Sequence, residues 1–60
     1  MNAIEAQTHA QKLFAVRGAK ALAEAAQKVR VFEQSGDKMQ AQDWKQIEQA
    51  LQLLRGPNAS

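Results

Sequence analysis

The sequence predicts an all-α protein: an antiparallel helical hairpin, with a long first helix and a shorter second helix, that pairs into a homodimeric four-helix bundle. Apolar residues recur at helical spacing, and the chain holds a single proline, Pro57. The break Ser35-Gly36-Asp37 divides this pattern in two. We therefore expect one domain over residues 1–60, with helices at about 3–34 and 38–55, a turn at 35–37 and a tail at 56–60.

The first helix begins with a capping motif. Asn2 is placed to accept from the backbone N–H of Glu5, whose side chain reaches back to Asn2 in a capping box. From there to Gln34 the chain is rich in alanine, glutamine, lysine and glutamate, which favour helices. One face of this helix holds Ile4, Phe14, Gly18, Leu22, Ala25, Val29 and Phe32.

The second helix follows a glycine and an aspartate. Gly36 suits the left-handed position that ends a helix. Asp37 with Gln40 then has the spacing of an N-cap, and Asp43 with Gln46 has the same spacing six residues later. We favour the start at Asp37. The seam of this helix is Trp44, Ile47, Leu51 and Leu54, spaced as in coiled coils.

The unequal lengths of the two helices predict self-association. At about 1.5 Å per residue the first helix spans about 48 Å and the second about 27 Å. Ile4, Leu13 and Phe14 then extend beyond the second helix of their own chain. In a two-fold dimer this overhang meets its mate or the partner's second helix, which completes a four-helix bundle.

Gly18 leaves an alternative open. A bend at this glycine would give three helices of similar length, which close on themselves as a small bundle. Gly18 also lies on the apolar face, where a small residue lets two helices approach closely. No typical loop residue surrounds it, so the dimer of long helices is the favoured prediction.

Size and composition also favour association. Sixty residues are near the lower limit for a domain that folds alone, and much of the hydrophobic content is alanine. With no cysteine, neither a disulfide nor a thiolate metal site can stabilise the fold. The absence of cysteine, of a signal peptide and of a long apolar run predicts a cytoplasmic protein without a membrane span.

The sequence offers little for catalysis. His9 is the only histidine, and with Glu5 it supplies two metal ligands where three or four are needed. The hydroxyl residues Thr8, Ser35 and Ser60 have no base placed beside them. We predict that the protein is not an enzyme and has no catalytic residue, no cofactor and no metal.

A basic helix face supports a second hypothesis. Arg17, Lys20 and Lys28 lie together on the side away from the seam, where a dimer would present them as a stripe along phosphates. The formal charge of +2 is small, and no aromatic residue interleaves for base stacking. Nucleic-acid binding by a hairpin dimer is therefore the first alternative function, and a subunit or adaptor role in a larger complex is the second.

In size and layout the chain resembles the ROP family of helical hairpins, which dimerise into four-helix bundles and bind RNA. The likeness lies in the architecture over most of the chain and in no shared motif. It implies a dimer and assigns no functional residue here.

The main prediction is a small non-enzymatic helical protein that acts through self-association or protein–protein interaction, in a regulatory role. Its predicted partners are a second copy of the chain or another protein, with no membrane. The residues expected to form the core or interface are Ile4, Phe14, Gly18, Leu22, Val29, Phe32, Trp44, Ile47, Leu51 and Leu54.

Overall fold

Three α-helices joined by two short turns form the fold. The computed structural model describes residues 1–56, in which α1 spans Ala3–Arg17, α2 spans Lys20–Ser35 and α3 spans Lys38–Arg55. No strand occurs among these residues, so the predicted all-α class is confirmed for this part of the chain. Most of the predicted tail, residues 57–60, lies outside the described residues.

The predicted continuous helix over 3–34 is wrong, because the chain turns at Gly18. This glycine has φ 61° and ψ −137°, a combination that residues with a side chain rarely adopt. Its N–H donates to the carbonyl of Phe14 at 2.8 Å, and its carbonyl accepts from the N–H of Ala21 at 3.1 Å. A Cβ at Gly18 would meet nothing within 4 Å, so the glycine serves the turn and not a close approach of two helices.

Both predicted N-caps are confirmed. Oδ1 of Asn2 accepts from the Glu5 N–H at 2.8 Å, and Oε1 of Glu5 accepts from the Asn2 N–H at 3.2 Å. Oδ1 of Asp37 accepts from the Gln40 N–H at 3.1 Å. The helix therefore starts directly after Asp37, and the alternative start at Asp43 is wrong.

Glycines end α2 and α3 at the predicted places. Gly36 is left-handed, with φ 82° and ψ 10°, and the N–H of Asp37 donates to the carbonyl of Phe32 at 2.9 Å. Gly56, with φ 100°, donates its N–H to the carbonyl of Leu53 at 3.1 Å. These two stops were predictable because glycine is the usual residue after a helix.

Replacing Asp37 by alanine should lower the free energy of unfolding by about 1 kcal/mol, because the Gln40 N–H loses its acceptor at the start of α3. Urea unfolding followed by circular dichroism measures this loss. Asp37→Asn keeps a side-chain oxygen and should retain most of the stability. Equal losses in the two variants would contradict a capping role.

The helices α1 and α3 run side by side in the same direction, with α2 antiparallel to both. The amino group of Met1 donates to Oδ1 of Asp43 at 3.1 Å, near the start of α3. At the other end of α1, Gln11 faces Leu54 across a groove. More of the contacts of α1 are made with α3 than with α2.

Alanine forms most of the core. The largest fully buried side chains, Ile47 and Leu51, both come from α3. Ala6 and Ala10 of α1, and Ala21 and Ala25 of α2, are each spaced four residues apart and therefore lie on one face of their helix. These two faces pack against Ile47 and Leu51, and the small side chains let the helices approach closely. Among residues 1–56, the buried apolar residues are Ala6, Ala10, Ala21, Ala25, Val29, Ala41, Ile47, Ala50 and Leu51.

Seven of the ten predicted packing residues are buried or half-buried in the bundle. Gly18 lies in the turn, and the other two are exposed. Ile4 is 75% exposed and Leu54 is 39% exposed. Ile4 is about 200° from Ala6 around α1, so the helix cannot bury both. The predicted packing residues that are buried or half-buried are Phe14, Leu22, Val29, Phe32, Trp44, Ile47 and Leu51.

Candidate interaction surface

A shallow groove of about 210 Å³ runs between α1 and α3. Gln7 and Gln11 line it from α1, and Leu53 and Leu54 line it from α3. It continues toward the start of the two helices, where further alanines and glutamines line it. We call this surface the α1–α3 groove; it consists of Ala3, Ala6, Gln7, Gln11, Gln46, Gln49, Ala50, Leu53 and Leu54.

Large apolar side chains lie open to solvent in and beside the groove. Leu53 is 76% exposed, because it lies about 200° around α3 from the fully buried Leu51. Ile4 is three residues before Gln7 and seven before Gln11, so it shares their face of α1. The exposed apolar surface thus includes side chains from both helices.

Among residues 1–56, those that line the α1–α3 groove are all uncharged. Its polar groups are the carboxamides of four glutamines, each of which offers a donor and an acceptor. Gln7 and Gln11 are both exposed, and both line the groove.

The α3 side of this groove was predicted only in part from the sequence. The predicted seam of the second helix is Trp44, Ile47, Leu51 and Leu54, and of these four residues Leu54 lines the groove. Gln46, Gln49 and Leu53 follow the same 3-4 spacing on the neighbouring face, and all three are exposed. That repeat, ending in a leucine, is the signal that would have revealed the groove.

The basic residues lie apart from the groove, around an acidic side chain. A guanidinium nitrogen of Arg17 lies 2.8 Å from Oε2 of Glu24, and both side chains are largely exposed. Lys20 and Lys28 flank Glu24 at four residues before and after it on α2. The turn at Gly18 therefore brings the three predicted cations together with an anion that offsets part of their charge.

His9 lies beside the single tryptophan, outside the groove lining. Its ring centroid is 5.7 Å from that of Trp44, and the two ring planes are tilted by 56°. His9 is exposed, and Trp44 is half-buried against the core. Among residues 1–56, no three potential metal ligands of the His, Cys, Asp and Glu types come together.

The fold and this surface define a small three-helix bundle with an exposed, uncharged groove. Comparisons of the chain with protein families, with curated proteins and with solved structures find no match. Within the described part of the chain, no helix has both the length and the apolar character needed to cross a membrane.

Proposed function

We propose that this chain is a small non-enzymatic interaction protein that associates with a second copy of itself through the α1–α3 groove. One observation carries the proposal: Leu53, Leu54 and Ile4 expose apolar side chains in and beside a groove whose lining residues, within 1–56, are all uncharged. Large apolar side chains that are exposed together on one side of a protein are typical of interaction sites. A regulatory role and a cytoplasmic location are part of the same proposal.

The groove favours a second copy because a two-fold axis brings each surface against itself. Like charges lining the groove would repel a second copy, and the lining residues within 1–56 carry none. Glutamine carboxamides pair with one another in either orientation, since each donates and accepts. In this arrangement α1 and α3 of the two copies lie together as a four-helix bundle.

The expected dimer is transient. Interfaces of weak, short-lived complexes bury less than about 1,200 Å² in total. The large exposed apolar side chains are few: Leu53 and Leu54 in the groove, and Ile4 beside it. Association should therefore need high protein concentration, and the molar mass should rise gradually from one chain toward two.

Leu53→Glu should abolish this association, because each copy would then bring a carboxylate into an uncharged interface. Molar mass by light scattering across a concentration series measures the effect. Val31→Glu is the matched control: Val31 is 49% exposed, lies on α2 and is not part of the groove. The control should dimerise like the original chain.

Two results would count against the proposal. The first is an original chain that stays monomeric at millimolar concentration, which would favour docking onto a different protein. The second is a Leu53→Glu variant with the same concentration dependence as the original chain, which would show that association does not need the groove.

Nucleic-acid binding is the weaker alternative. The ion pair between Arg17 and Glu24 occupies one of the three predicted phosphate contacts. A titration with mixed RNA and DNA at low salt tests the alternative, since phosphate contacts would give binding that weakens as salt rises.

A further inference from the structure

We propose that the turn between α1 and α2 is a hinge that opens into a continuous helix, so that two copies exchange their first helices. The exchanged dimer differs from the dimer proposed above, because its formation requires no contact between the exposed side chains of the α1–α3 groove. Its interface consists of the contacts that hold α1 in the closed chain.

The turn is short and close to helical already. Only Gly18 and Ala19 separate the two helices, and Ala19 has φ −62° and ψ −23°, which are helical values. Gly18 alone departs from the helix, with φ 61° and ψ −137°. Opening the hinge therefore requires a change of backbone conformation mainly at one residue that is free to make it.

The turn also leaves backbone groups unpaired that a continuous helix would pair. α2 begins without any side-chain hydrogen bond at its N-cap, unlike α1 and α3. Within residues 1–56, the N–H of Ala19 makes no hydrogen bond. In a continuous helix that N–H donates to the carbonyl of Ala15, so straightening gains a bond that the closed form lacks.

The residues around the turn favour the helix as well. Arg17, Ala19 and Lys20 are all good helix formers, and no proline lies near them. One exposed contact opposes opening: Arg17 and Glu24 pair across the turn at 2.8 Å, and a continuous helix would separate them by two turns. Exposed pairs of this kind hold a structure only weakly.

The helix α1 can detach from α2 and α3 of its own chain and bind at the equivalent position on α2 and α3 of a second copy. Ala6, Ala10, Leu13 and Phe14 belong to or pack against the core cluster, whose α3 members include Ile47 and Leu51. After opening, α1 continues the line of its own α2 and lies antiparallel to α2 of the second copy. It then runs parallel to α3 of that copy, as it does in the closed chain, and every core contact is restored.

Exchange of an element between two copies is favoured when the hinge is short and strained in the closed form. The two forms bury the same core, so the balance depends on the hinge and on protein concentration. The closed chain dominates at low concentration, and the exchanged dimer accumulates at high concentration. Because exchange requires α1 to leave its site, the two forms should interconvert slowly.

Two substitutions at the hinge test the proposal in opposite directions. Gly18→Ala disfavours the turn, because alanine rarely adopts this φ and ψ and favours the helix, so the dimer dissociation constant should fall about tenfold or more. Ala19→Pro preserves the turn, because proline matches φ −62° and the N–H that it removes makes no bond. A proline there blocks the continuous helix, so this dimer should disappear.

Both hinge variants are made in the Leu53→Glu background, which removes association through the groove. Size-exclusion chromatography with light scattering should find a dimer of Gly18→Ala/Leu53→Glu that persists after dilution, and only monomer for Ala19→Pro/Leu53→Glu. Circular dichroism verifies that each variant is helical. The effect of Leu53→Glu alone tests the proposed association through the groove. The comparison of the two double variants tests the hinge, and its outcome does not depend on whether the groove dimer forms.

A helical Gly18→Ala/Leu53→Glu variant that stays monomeric at millimolar concentration would overturn the exchange. If Gly18→Ala does not fold, the comparison of Leu53→Glu with Ala19→Pro/Leu53→Glu decides. A slowly dissociating dimer that the proline removes supports the hinge, and identical masses for the two chains refute it.

Discussion

Truncating Leu51 to alanine should lower the free energy of unfolding by about 2–5 kcal/mol, the range for a leucine removed from a packed core. Leu51 is 1% exposed and lies at the centre of the cluster between the three helices. A domain of 60 residues has about 3–9 kcal/mol of stability in total. The expected loss is therefore a large part of the total stability, and Leu51→Ala should unfold at a much lower urea concentration than the original chain.

The chain provides a matched control for this truncation, two residues further along the same helix. Leu53→Ala makes the same chemical change at a side chain that is 76% exposed, and it should alter stability by less than about 0.5 kcal/mol. Ile47→Val removes one buried methyl group and should cost about 0.5–1.5 kcal/mol, which keeps the protein folded for measurement.

Urea unfolding followed by circular dichroism and by the fluorescence of Trp44 gives these free energies. Similar values for Leu51→Ala and Leu53→Ala would mean that the seam of α3 has been placed on the wrong face. A loss of about 2–5 kcal/mol in Leu51→Ala, together with an unchanged free energy of unfolding in Leu53→Ala, would support the three-helix core.

Local chemistry made the helix ends predictable. Asn2 with Glu5, Asp37 with Gln40, and the glycines at 36 and 56 each form bonds within a few residues. Such bonds depend only on neighbours in the sequence, so the pattern indicates them directly. The start of α3 and the turn before it follow from these rules alone.

The turn at Gly18 follows from packing over longer distances. Gly36 precedes an aspartate that caps the next helix, whereas Gly18 lies between Arg17 and Ala19, which favour a helix. No residue next to Gly18 indicates the end of a helix. The chain turns there because the alanine face of α1 can then cover the same core as α2 and α3.

The predicted overhang disappears with that turn. Three helices of 15, 16 and 18 residues are similar in length, so no helix extends far beyond its neighbours. The sequence argument assumed that the large apolar residues of the first helix mark its buried face. Instead Ala6 and Ala10 face the core, and Ile4 remains 75% exposed.

The candidate surface was predictable only in part for the same reason. The sequence predicted that Ile4, Leu13 and Phe14 would be left uncovered by their own chain. Ile4 is indeed 75% exposed, whereas Leu13 and Phe14 pack against the core. The sequence did not indicate the position of Leu53 beside Gln7 across the groove. That proximity exists because α1 folds back along α3, which is a consequence of the turn at Gly18.

Enlarging Ala10 to leucine tests the placement of the alanine face. Ala10 is 0% exposed and belongs to the core cluster, so three extra heavy atoms have no space unless the helices move apart. Overpacking of this kind costs about 1–3 kcal/mol or more. We expect a loss of this size in urea unfolding, and in a domain so small it should lower the midpoint substantially.

Ala15→Leu is the matched control, since Ala15 is exposed on the same helix and leucine and alanine are both good helix formers. It should change stability by less than about 0.5 kcal/mol. In a chain that buried the face of Ile4 instead, Ala10→Leu would be as harmless as the control, and Ile4→Ala would be the damaging change. The ratio of these three effects therefore identifies which face of α1 meets the core.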